Sequence, residues 1–241
     1  MRSFSRSRHA ASPFVVARVV ERSTHSLTHS PFLSTRVVVS AATPAALESD
    51  DWTAFEEAVD AFNDDEKGQD GLLAIEKATS LVPSLVAALE SGVVDDGKSA
   101  LKALNAYDQL TYATNECLRK RASHAVSVMR NTRRENPDAP ESWEVAKTTP
   151  FAELPESRGD SGWSAAHPDW TLEDLRKAFE AANDTQNDVV ASMRAFLGAH
   201  KDKLAESGLL ESAEETLEEA VELKASQKHK KLMDKTFDET Q

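Results

Sequence analysis

Apolar positions along this chain recur mostly at intervals of three and four residues, the spacing of one face of an α-helix. Trp52, Phe55, Val59 and Phe62 make a narrow aromatic stripe that predicts a first helix from about Ser49, with Asp50 and Asp51 at its positive end. Leu72, Ile75, Ala78, Val82, Leu85, Val86 and Leu89 predict a second helix. Pro83 removes a backbone donor from it and biases Val82 away from helical geometry, so a kink or break is expected between Ser80 and Pro83. Gly92 ends that element, and a pattern with few breakers then runs from about Lys98 to Arg134, a helix of about 55 Å.

The periodicity lapses between residues 135 and 170. This stretch holds Pro137, Pro140, Pro150, Pro155 and Pro168 together with Trp143, Trp163 and Trp170, and reads as a long irregular connection. Thr171-Leu172-Glu173-Asp174 reopens the helical pattern as a capping box with Asp in place of the usual Glu. Leu172, Leu175, Phe179, Ala182, Val189, Val190, Met193, Leu197 and Leu204 mark its buried face, and Gly208 closes it. In the last helix Leu210, Ala213, Leu217, Val221 and Lys224 share a stripe, with Glu crowding the first half and Lys the second, an order that suits the helix dipole. Short turns at 64–70 and 205–208 make neighbouring helices antiparallel. The expected fold is all-α, a bundle of four to five helices, with residues 44–134 forming an N-terminal helical segment and 171–241 a helical hairpin on the same bundle.

Composition separates off the first 43 residues. They carry six Arg (Arg2, Arg6, Arg8, Arg18, Arg22, Arg36), nine Ser, no Lys and one acid, Glu21, hence a net charge of +5; the remainder must then hold −18 of the overall −13. An Arg- and Ser-rich, acid-poor leader is the pattern of an organelle transit peptide, a disordered targeting arm excluded from fold reasoning. Val39-Ser40-Ala41-Ala42 resembles the Val-x-Ala-Ala processing site of plastid transit peptides and implies a mature start near Ala42 or Thr43. The apolar run Phe14–Val20, preceded by arginines, also suits a basic amphipathic helix of mitochondrial type, so the plastid (chloroplast) stroma comes first and the mitochondrial matrix second. Interrupted by Arg18, that run is too short for a membrane span. No other hydrophobic run approaches the roughly 20 residues a span needs, and a soluble body without a transmembrane segment is expected.

Candidate chemistry is sparse. Cys117 is the only cysteine, which excludes an internal disulfide, a Cys-based zinc site and an iron–sulfur cluster on this chain alone. His124, His167, His200 and His229 form no Glu-x-x-His or His-Glu-x-x-His pair, and there is no phosphate-cradling glycine loop. Ser99-Ala100-Leu101-Lys102 matches Ser-x-x-Lys without companion motifs and reads as a solvated face. Asp65 to Glu76 has acids at the first and last positions of a calcium loop, but Lys67 and Gln69 stand where ligands belong and Asp70 where the glycine turns, so it reads as an acidic turn. No cofactor is assigned.

Binding is the better-supported class. Arg119, Lys120, Arg121, His124, Arg130, Arg133 and Arg134 form a basic block within an acidic body, and Glu206, Glu211, Glu214, Glu215, Glu218, Glu219 and Glu222 form a block of opposite sign. These blocks either face one another or solvate; the sharper reading is that the basic block docks an acidic protein partner in an organelle complex, or an anionic membrane surface. The negative body and the lack of interleaved aromatics weigh against nucleic acid. Trp143, Trp163 and Trp170 either pin the connection to the helices or serve as partner anchors. The enzyme alternative is a small-molecule or metal-dependent site in the core, among the polar residues of the long helix, with Asp108 and Glu116 as acid or base and Tyr112 as donor. Cys117, beside Arg119 and Arg121, is a candidate redox-sensitive thiol. The expected role is that of an assembly factor, scaffold or peripheral subunit.

Overall fold

The computed structural model describes residues 44–66, 68–135, 137–138, 140–154, 162–225 and 228–238. All lie in the larger of two units of the chain, residues 40–241, and the proposed targeting arm lies outside the described residues. The described residues are all-helical, without a strand. In order they form a 3-10 turn at Ala45–Glu48, α1 (Asp50–Asp64), α2 (Gln69–Ser91), α3 (Gly97–Glu135), α4 (Pro140–Thr148), a 3-10 turn at Phe151–Glu153, α5 (Gly162–Ala166), α6 (Leu172–Glu206), α7 (Leu210–Ala225) and α8 (Lys228–Asp238).

Helix starts follow local chemistry. Ser49 caps α1 by accepting from the Trp52 amide at 3.1 Å, with Asp50 and Asp51 in the first turn. Asp96 and Ser99 cap α3 reciprocally: the Ser99 amide donates to Asp96 Oδ1 at 2.8 Å and the Asp96 amide to Ser99 Oγ at 3.1 Å. That cap occupies the serine of the Ser-x-x-Lys match. Thr171 and Asp174 form the expected capping box of α6, and Gly208, at φ +66°, lets the chain leave α6 in the left-handed region.

Three expectations change. First, the helices outnumber the four or five predicted. Pro140, fitted to a first helical turn where its missing N–H costs nothing, opens α4 with Glu141 beside it, so 135–170 is not uniformly irregular. Where one last helix is predicted, the described residues form α7, to Ala225, and α8, from Lys228.

Second, α2 runs through Pro83 without a break. Pro83 and Ser84 face solvent, while Val82, Leu85 and Leu89 are buried on the opposite side, so packing outweighs one lost backbone bond.

Third, α2 is long and apolar enough to cross a membrane by length and composition, alone among the described helices. Ile75, Ala78, Val82 and Leu85 are spent on the core instead.

α3 is the common wall of two apolar clusters. Its first half, Ala100 to Cys117, packs with α1, α2, the C-terminal half of α6 and Ala213 and Ala220 of α7. Its second half, Leu118 to Met129, packs with Leu72, Phe151, the N-terminal half of α6 and Met233 and Phe237 of α8. α3 and α6 run antiparallel: Tyr107 meets Phe196 with ring centroids 5.6 Å apart, and Arg121 donates to the Ala178 carbonyl at 2.7 Å. At the far end Gly97 sits so close to α6 that a Cβ there would lie 2.5 Å from the Lys203 carbonyl. Lys203 in turn donates to the Val94 carbonyl, locking the entry to α3 against the end of α6.

Candidate functional site

The basic block divides into an inward and an outward half. Arg119 and Lys120 both reach Glu66, at 2.9 and 2.7 Å, and Arg119 also pairs with Glu116 one helical turn away. The Lys120 and Arg119 hydrogen bonds hold the Glu66 carboxyl at about 2, well below the ordinary value. Arg121 points into the protein, where one guanidinium nitrogen binds Glu76 Oε1 at 2.7 Å and another the Ala178 carbonyl. Glu76 Oε2 lies 2.5 Å from His167 Nε2, and the His167 ring stacks on Trp170 at 3.8 Å between centroids. Arg119, Lys120 and Arg121 therefore tie the turn before α2, α2 itself and the connection to α3. Their acids are Glu66, Glu76 and Glu116, none of them in the Glu-rich helix α7.

The outward half comprises Arg130, Arg133 and Arg134. Arg130 and Arg134 are exposed, and Arg133 lies over the Trp143 ring at 5.1 Å. Trp143 and Trp170 are half-buried and pack against the second apolar cluster, so they pin the connection. Backbone bonds from Phe151 to Trp170 and from Ala152 to Pro168, at 2.8 and 2.9 Å, close that connection on itself. The side chain of Trp163 lies outside the described residues.

Beside this outward half, α8 lies along α3. Lys147 donates to the Phe237 carbonyl at 3.1 Å, and the Arg176 guanidinium covers the Phe237 ring at 4.9 Å. Between the two helices is a cavity of about 330 Å³, lined by Val126, Met129, Arg130 and Arg133 of α3 and Leu232, Lys235 and Thr236 of α8. On the other flank of α8 a second cavity, of about 280 Å³, is lined by Phe179, Glu180, Asn183, Asp184, Lys230, Met233 and Asp234. The two therefore differ in sign, the first cationic and the second dominated by acids. Sequence reasoning alone does not single out Val126, Met129, Leu232 or Lys235. Their signal was the spacing of Val126, Met129, Arg130 and Arg133, one helix face, and the lysine-rich end of the chain.

The core alternative finds little to use. Asp108, Tyr112 and Glu116 recur every four residues on one face of α3, but Glu116 is engaged by Arg119 and none of the three lines either cavity. Thr111 and Thr114 spend their hydroxyls on the carbonyls of Tyr107 and Leu110 within α3, at 3.0 Å each, which makes much of its polar middle self-satisfied. Cys117 is fully buried, and burial pushes its thiol up against the opposing pull of Arg121, which disfavours the thiolate there. The acidic stretch Asp65–Glu76 is helical from Gln69 onward, and Glu76 faces Arg121, a geometry unlike a calcium loop. Among the described residues no group of three or more His, Cys, Asp or Glu side chains is placed to hold a metal ion.

Compared with protein-family models, curated proteins and solved structures, the chain matches none.

Proposed function

We propose that this is an organelle-imported helical protein that acts by binding another protein, as an assembly factor, scaffold or peripheral subunit, with its long helices arranged as a bundle around α3. The observation that carries the reading is segregation of charge. Against a body of net −18, the end of α3 and the side of α8 that faces it carry exposed Arg130 and Lys235, with Arg134, paired to Glu135, and Lys228 and Lys231 also exposed on these two helices. A cationic edge on an anionic protein favours the approach of an acidic surface from that side. The Arg- and Ser-rich leader supports import, to the plastid first and the mitochondrion second.

Two measurements test this. N-terminal sequencing of the native protein should find a start near Ala42 or Thr43, and an intact Met1 would end the import reading. Sizing in an organelle extract should place the protein in a complex at low salt that shrinks at high salt; migration as a lone chain at low salt would refute the binding role.

A further inference from the structure

Cations alone would suit many partners, but the cavity between α3 and α8 is more selective. Val126, Met129 and Leu232 give it an aliphatic lining, and Arg130, Arg133 and Lys235 give it cations, of which Arg130 and Lys235 are exposed. Thr236 adds no polar demand, because its hydroxyl donates to the Leu232 carbonyl at 2.8 Å. An occupant must therefore be apolar on the side it presents to the aliphatic lining and anionic along its edges.

Shape narrows the class further. Val126, Met129, Arg130 and Arg133 follow the i, i+3, i+4, i+7 spacing of one face of α3, and Leu232, Lys235 and Thr236 the i, i+3, i+4 spacing of α8. The cavity thus lies between the facing sides of two helices, a setting against which an amphipathic helix can lay its apolar face. At about 330 Å³ it stands near the lower end of the roughly 300–1,000 Å³ of small-molecule pockets, room for a few side chains. A bilayer surface would meet the exposed cations but not the lining between the helices, and a phosphate backbone would leave that lining uncovered.

We propose that the α3–α8 cavity receives an acidic amphipathic helix of a partner protein, its aliphatic side chains on Val126, Met129 and Leu232 and its carboxylates on Arg130 and Lys235. This rests on the reading that the protein acts by binding, and it specifies the partner's chemistry. Arg130 and Lys235 are both exposed, so glutamine at either position meets solvent and leaves the apolar core filled.

The test uses the full chain and a synthetic helical peptide with Leu at alternating third and fourth positions and Glu on both flanks. Nuclear magnetic resonance titration should give saturable shifts at Val126, Met129 and Leu232. Arg130→Gln/Lys235→Gln should weaken binding about tenfold and flatten its salt dependence. Replacing the peptide's Leu by Ser should abolish the shifts at these three residues. No saturable binding, equal binding of the Leu-to-Ser peptide, or capture by anionic phosphatidylglycerol vesicles in place of the peptide would each overturn the proposal. A native complex that survives Arg130→Gln/Lys235→Gln would overturn the α3–α8 site while leaving the binding role intact; a native lone chain would overturn both.

Discussion

Glu76 and Arg121 meet at 2.7 Å with side chains only 15% and 9% exposed, joining two helices across 45 residues of sequence. Removing one member of such a pair leaves the other charged and poorly solvated. Arg121→Met should therefore lower unfolding free energy by about 3 kcal/mol in a denaturant titration, towards the low end for buried pairs because Glu76 keeps some water and its contact with His167. Glu76→Met/Arg121→Met should cost less than the two single changes added together. Strict additivity would show that the pair is energetically uncoupled.

Two glycines should respond in opposite ways to alanine. At Gly97 an added Cβ would lie 2.4 Å from Ser207 Oγ and 2.5 Å from the Lys203 carbonyl, so α3 and α6 must separate. Gly97→Ala should cost about 2 kcal/mol, and Ser207→Gly should relieve only part of it, because the carbonyl is backbone. Gly198, inside α6, has nothing within 4 Å of its would-be Cβ. Gly198→Ala should raise stability by about 0.5–1 kcal/mol through helix propensity. Thermal melts of the two variants shifting in the same direction would contradict this account.

Acidification should weaken the fold through two histidines. Burial, with Arg119 beside it, lowers the His229 pKa against the opposing Glu116, and burial with Lys203 lowers that of His200. The unfolded chain then binds more protons than the folded one below the ordinary histidine value of about 6.5. The stabilisation is present above that value and is lost as pH falls through the lowered folded values. A melting temperature that declines below about pH 6.5, and declines less in His200→Gln/His229→Gln, is the expected outcome. A double variant with an unchanged slope would assign the decline elsewhere.

Tyr107 is fully buried and its hydroxyl has no hydrogen-bond partner among the described residues. Burial drives its pKa far upward, the Glu90 charge adding to the effect. Tyr107→Phe removes an unsatisfied group while keeping the ring on Phe196. Calorimetry should show stability unchanged or raised by up to about 1 kcal/mol. A loss of that size would mean the hydroxyl is hydrogen-bonded in solution.

Much of the helical framework was legible because its causes are local. Ser49, Thr171 with Asp174, Gly92 and Gly208 act within a turn of their own positions, and the apolar stripe of α6 is buried as read. Pro83 misled because its penalty is local whereas the packing of Val82, Leu85 and Leu89 that overrides it is not. α4 is not legible because Pro140, which begins it, stands among five prolines in a stretch without apolar periodicity.

The candidate site was half legible. Six consecutive-looking cations on α3 gave no sign of which turned inward, since that depends on Glu66, Glu76 and Ala178 brought from distant sequence. The tie from His167 to Glu76 spans 91 residues and has no periodic signature. The second wall of the cavity is α8, folded back against α3 with Lys147 and Arg176 on Phe237, and one helix's pattern cannot announce what lies beside it.

Because one uninterrupted helix of 39 residues serves both apolar clusters, neither cluster owns its own wall. Slow amide exchange along α3 should therefore report on both clusters at once, and damage near Gly97 should be felt by the docking of α8 near the opposite end of the helix. The protein would melt as a single cooperative body, with α3 as the axle on which either half can loosen the other.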